Sequence, residues 1–385
     1  SSSNTVGVKD STTPHRVGRK RSSVGNSSRM APAASSPGKV AAMSDPYEGA
    51  RTGSGTTTYD ESTATGAYWS APRWKTQKGR LEVWYATATD AASGTGIWVH
   101  GETVARTEAA TGAVDTSDTR PVVSHGWIAL FPPDRAPVWE RTAMHDGAKT
   151  ADGHDRHPGF RADDLSIDAT GTSGTAGDLS WDIGWDASGQ RGLATFPKWA
   201  WERELLPAAQ VVPAPSLQVS GSVTHGSETF GIVGHGQVAR IYGHGSAERW
   251  GWLHADLGGG DVIELVTAVS RRSGLNRLKP ITFLRMRVND LDWPSTRIAS
   301  WGLRSTLGLP GWTVRGRTQG VEVSIEVTQP NDRNVTIDYT DPDGATATCT
   351  NTERADVVVH LRTQGGVERH WEIEGTAHAE IGRRP

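Results

Sequence analysis

Short runs of alternating apolar and polar residues recur from Tyr68 to the C-terminus, and they restrict the fold more than any other feature. The plainest is Val321-Glu-Val-Ser-Ile-Glu-Val327, with Val321, Val323, Ile325 and Val327 on one side and Glu322, Ser324 and Glu326 on the other. A period of two is that of a strand with one packed face and one wet face. Comparable runs, bounded by turn-forming residues, are Arg80–Thr89, Gly96–His100, Gly126–Phe131, Leu179–Trp185, Ser216–Val223, Arg249–His254, Asp261–Thr267, Ile281–Val288 and Asp356–Arg362. Helical spacing is scarce; a short turn of helix is expected within Trp199–Leu206, ahead of Pro207. Many short antiparallel strands form sandwiches or barrels, so the expectation is an all-β chain.

A length of 385 residues suggests two domains. Leu205–Ser216 holds three prolines in twelve residues, a stiff segment that donates poorly to a ladder. The boundary is expected there, with β domains over 66–207 and 213–385. Residues 1–65 read as a leader. Its first 42 residues hold ten Ser and no aromatic residue, and seven basic against one acidic side chain leave it at +6, the remainder at −9. Such a segment buries too little apolar surface to offset its ordering entropy. Met43 is an alternative start. Residues 143–164 are polar and rich in Gly, His and Asp, and read as a loop.

Several functions are disfavoured. No apolar run approaches the roughly 18 residues of a membrane-spanning helix. A single cysteine, Cys349, excludes an intrachain disulfide and a cysteine-based zinc site. A net charge of −3 gives no reason to expect nucleic acid. Without a visible export signal, a cytoplasmic location is expected; the oligomeric state stays open. Gly234-His-Gly-Gln-Val-Ala239 superficially matches a dinucleotide fingerprint, but no helix follows and it reads as a turn. His154 and His157, with Asp152 and Asp155, are metal-ligand types in a stretch equally explained as an exposed loop, and no metal is expected.

Tryptophan is abundant, 16 residues against 5 Phe and 6 Tyr, and a Trp-heavy interior often borders a ligand. Within Tyr242–Asp256, Trp250, Trp252, His254 and Asp256 share one strand face, with His244 upstream. Two indoles, an imidazole and a carboxylate on one side can line an apolar pocket holding a proton-transfer group; a Trp-packed core face has the same composition. In Gly79–Tyr85, Glu82 and Trp84 share a face opposite Leu81, Val83 and Tyr85. If buried, Glu82 is a candidate general acid; the other reading faces it to solvent.

These segments, in this order, resemble the tandem lipocalin-like family of carotenoid 1,2-hydratase (hydroxyneurosporene synthase), tocopherol cyclase, kievitone hydratase and decalin-forming cyclases. The resemblance is carried by Leu81-Glu-Val-Trp-Tyr85, Val219-Ser-Gly221 followed by Gly243-His-Gly-Ser-Ala-Glu-Arg-Trp-Gly-Trp252, and Cys349-Thr-Asn351. Where members often carry His-Asn-Trp-Gly, this chain has His244-Gly-Ser-Ala. The resemblance implies two lipocalin-like antiparallel barrel or sandwich domains and a ligand cavity. It also implies hydration, isomerisation or cyclisation of a lipophilic polyene, prenyl or polyketide-like molecule without metal or organic cofactor. Protonating an alkene makes a cation that needs a dry cavity and aromatic faces. Glu82, His244, His254 and Asp256 are then the expected proton donors, and Trp84, Tyr85, Trp250 and Trp252 the expected substrate contacts. Two alternatives stand beside this: a non-catalytic lipid or isoprenoid carrier, and a sugar-binding or hydrolytic β-sandwich.

Overall fold

The computed structural model describes residues 66–113, 120–147 and 159–385. The leader and the segment bearing Asp152, His154, Asp155 and His157 lie outside the described residues. The strands are β1 (Arg80–Asp90), β2 (Gly96–Ala105), β3 (Val122–Phe131), β4 (Val138–Arg141), β5 (His145–Asp146), β6 (Gly159–Arg161), β7 (Leu165–Asp168), β8 (Gly171–Ala176), β9 (Leu179–Trp185), β10 (Leu193–Ala194), β11 (Ala208–His225) and β12 (Glu228–Gly243). After them come β13 (Arg249–Gly258), β14 (Asp261–Val269), β15 (Ile281–Val288), β16 (Leu291–Trp293), β17 (Arg304–Thr306), β18 (Gly311–Thr318), β19 (Val321–Thr328), β20 (Val335–Thr340), β21 (Thr346–Thr363) and β22 (Glu368–Arg383). The all-β expectation therefore holds. Lys198–Glu202 is the short helix ahead of Pro207. Among the described residues, no helix is long and apolar enough to cross a membrane.

Two antiparallel sheets result. The first runs β4-β3-β2-β1-β12-β11-β9-β8-β7-β6, the second β16-β15-β14-β13-β22-β21-β19-β18-β17. The first curls so that β6 and β7 pack across β1 and β2. Phe160 and Leu165 press so closely on Gly101 that a Cβ there would lie 2.4 Å from the Phe160 ring.

Three sequence expectations change. The proline-rich stretch does not separate the sheets: β11 begins within it, and the change-over falls at 244–248. Pro213 and Pro215 are tolerated because β11 breaks register between Val211 and Ala214 and again before Leu217, where ladder donors are not required. Gly234–Ala239 is not a turn but the interior of β12, paired with β1 on one side and β11 on the other. Residues 143–164 contribute the short strands β5 and β6 as well as connecting segments.

β1 positions everything that follows, because both its faces are buried. Trp84, Ala86 and Ala88 enter the core inside the first sheet. Leu81, Val83 and Tyr85 enter a second core shared with Trp252, Val262, Val335 and Ile337 of the other sheet. The hairpin after β1 is held by Asp90, whose carboxylate accepts from Ser93 N and Oγ, both at 2.8 Å, and from Val233 N at 2.9 Å. The turn between β13 and β14 uses Gly258, Gly259 and Gly260, all at positive φ where other residues are strained.

Candidate active site

A cavity of about 200 Å³ lies where the two sheets meet. From the first sheet come Val83, Tyr85, Trp98, His100 and Glu102; from the second, Trp250, Trp252, Phe283, Tyr339 and Glu380. The alternation of β2 explains half of this wall. Trp98, His100 and Glu102 occupy every second position and so reach the same side.

Four polar atoms on this mostly apolar wall are buried and lack a partner among the described residues: Tyr85 Oη, Trp98 Nε1, His100 Nδ1 and Thr195 Oγ1. Buried polar groups are nearly always hydrogen-bonded, so four orphans around one cavity mark a place for a guest or for water. Glu102 is only 5% exposed, and its two oxygens lie 3.3 Å from His100 Nε2 and 3.0 Å from His125 Nε2. Burial alone would raise its carboxyl, but the two imidazoles outweigh that and hold it below the usual carboxylate range. An ionised carboxylate only accepts, so both imidazoles donate through Nε2, and the neutral His100 ring keeps its Nδ1 as a bare acceptor. Burial lowers His100 below its ordinary value, with Glu102 offsetting part of the effect. Its ring stacks on Trp127 at 3.7 Å between centroids. Burial, reinforced by Glu380 and Glu264, holds the Tyr85 phenol well above its usual value, so it stays protonated.

The residues singled out from sequence divide. Tyr85, Trp250 and Trp252 line the cavity. Trp250 Nε1 donates to Glu380 at 2.6 Å, and Trp252 lies 4.8 Å from Tyr85 between ring centroids. Glu82 and Trp84 sit on the opposite face of β1, away from it. Glu82 is ion-paired with buried Arg240 and accepts from the backbone N–H of Arg73 and Trp74 at 2.9 and 3.1 Å. Trp84 packs beneath the same guanidinium at 4.6 Å. His254 is buried behind the wall, 2.9 Å from Glu264, which also accepts from Trp252 Nε1. Asp256 does not orient it: that carboxylate reaches His235 of the first sheet at 3.1 Å. His244 precedes the cavity-lining Gly245 and Ser246 but does not line it, and burial lowers its pKa.

Sequence reasoning passed over Trp98, His100, Glu102, Tyr339 and Glu380. The signal for the first three was available as Trp-Val-His-Gly-Glu, the same alternation that drew attention to Trp250, Trp252 and His254. Tyr339 and Glu380 lie on strands far apart in the chain, β20 and β22, which meet here only because both flank β21 or its neighbours in the second sheet.

Residues 176–383 match the model of a family described as tocopherol cyclase-like. Two uncharacterised proteins of Mycobacterium tuberculosis are each 46% identical to the chain over 314 residues, covering 81% of it and 89% of their own length. Among solved structures, a protein described as AttH from Nitrosomonas europaea superposes with a TM-score of 0.50 at 15% identity, covering 78% of this chain and 92% of that one. CghA superposes with a TM-score of 0.52 at 12% identity, covering 79% and 88%. At such identities the two structures share a fold with this chain.

Proposed function

The chain belongs to the tocopherol cyclase-like family, and from that premise we propose that it is a hydratase or cyclase acting on a lipophilic small molecule in the cavity between its sheets. The observation that carries this reading is His100: its Nδ1 is unpartnered at an apolar wall while its Nε2 is held by Glu102. That is the arrangement of a base whose developing positive charge is met by a fixed carboxylate. A hydroxyl adds across a carbon–carbon double bond of the guest. Its oxygen bonds to one carbon, its proton passes to His100 Nδ1, and the imidazolium delivers a proton to the other carbon. If the hydroxyl belongs to the guest, a ring closes; if it belongs to water, the guest is hydrated, and the reverse is dehydration. The step is redox-neutral. Tyr85 donates a hydrogen bond to the guest's oxygen, and Trp98, Trp250 and Trp252 wall the apolar carbons of the guest.

The first test is native mass spectrometry of the purified full chain after organic extraction, which identifies what occupies the cavity. A panel of polyene alcohols and prenylated phenols is then screened for binding and conversion. His100→Ala and Glu102→Gln are expected to bind the guest and to lose about 100- to 10,000-fold in turnover. Full turnover in His100→Ala would remove His100 from the chemistry. Binding without conversion by the parent protein would instead identify a carrier.

A further inference from the structure

The deep end of the cavity is closed by Val83, Tyr85, Trp98 and Trp252, all buried. Its shallow end is formed by Leu206, Pro207, Ser270 and Ile281, all at least partly open to solvent. Ser270 and Ile281 flank the loop 271–280 that joins β14 to β15, so this loop stands on the rim of the mouth. It reads Arg-Arg-Ser-Gly-Leu-Asn-Arg-Leu-Lys-Pro, without an acidic residue. Leu275, Leu278 and Ile281 are 44%, 55% and 45% exposed. Arg271 is tied to Asp341 and Asp343. Arg272, Arg277 and Lys279 are exposed and have no acidic partner among the described residues. On the same side, exposed Trp301 packs its ring 6.0 Å from that of Phe283, another cavity-lining residue.

Leucines left about half open to water beside unpaired cations gain little from folding alone, whereas a bilayer interface accepts both. Apolar side chains enter the acyl boundary while cations meet lipid phosphates. The positive charge is local, since the chain as a whole carries −3. We infer that loop 271–280, with Ile281 and Trp301 beside it, docks the cavity mouth onto an anionic lipid bilayer, from which an apolar guest enters without crossing water. The inference rests on the cavity taking a lipophilic guest, but docking is measured with no guest present, so the two readings fail separately.

The test is co-sedimentation of the full chain with vesicles of phosphatidylcholine alone or mixed equally with phosphatidylglycerol. Binding is expected to the mixed vesicles, to weaken as salt rises, and to be much weaker with phosphatidylcholine alone. Leu275→Ser/Leu278→Ser and Arg272→Gln/Arg277→Gln/Lys279→Gln should each lower the partition coefficient about tenfold or more. Both should melt with the parent, because the replaced side chains are exposed. No binding to mixed vesicles at low salt would overturn the inference. So would undiminished binding by both variants, which would move the contact to the basic residues near the N-terminus. Self-association lost in the leucine variant, with no vesicle binding by the parent, would make the loop a protein contact and would also overturn it.

Discussion

Glu82 and Arg240 are 6% and 0% exposed, and each is the other's charge partner. Arg240 also donates to the carbonyl of Trp69 at 2.9 Å and to that of Ala71, so the pair clamps the segment before β1. Glu82→Ala strands a buried guanidinium and should cost roughly 3–5 kcal/mol in urea unfolding. Turnover per folded molecule should not change, in contrast to Glu102→Gln. A second buried pair, Glu353 and His378, lies 2.6 Å apart behind Trp252. Burial raises the Glu353 carboxyl well above its ordinary value, against a smaller pull from His254. The folded chain keeps a proton there that the unfolded chain releases above about pH 4.5, so Glu353 withdraws stability as the pH rises. His378 is pushed down to about 4, chiefly by burial, so its contribution is lost as the pH falls below about 6.5. Glu353→Gln removes only the first effect. Thermal melting from about pH 5 to about pH 8 should show the variant gaining stability relative to the parent as the pH rises; parallel curves would show that Glu353 is ionised in the folded state. That Glu82 was a carboxylate in an apolar strand was legible. Its partner, 158 residues away, was not.

Strands were the most legible elements, since every run read as alternating lies within a strand. Alternation assigns side chains to faces but does not say which face meets the cavity. On β1 it correctly separated Glu82 and Trp84 from Leu81, Val83 and Tyr85, and the cavity lies on the second face. On β13 the partner across the ladder matters as much as the strand's own sequence. Trp250 lies opposite Gly382 of β22, and a Cβ on Gly382 would come within 2.0 Å of the indole. Gly382→Ala should therefore displace Trp250 from the cavity wall at a cost of about 1–3 kcal/mol. Guest binding should weaken and tryptophan emission should change. Unaltered binding and emission would mean that the wall does not depend on this contact.

At the scale of the whole molecule, the shared core of Leu81, Val83, Tyr85 and Trp98 with Trp252, Val262, Val335 and Ile337 couples the two sheets. Unfolding is expected as one transition, with tryptophan fluorescence and far-ultraviolet circular dichroism coincident. Two separated transitions would show sheets that fold independently on either side of residues 244–248. The sequence by itself determined the fold class, the strand positions and the aromatic character of the interior, because period-two patterning and composition are local properties. Only the tertiary structure decided where one sheet ends and the next begins, and that His100 and Glu102, rather than Glu82 or His254, reach the cavity. The physical reason is that a strand's pattern states which side chains share a face, whereas what covers that face is set by residues a hundred or more positions away.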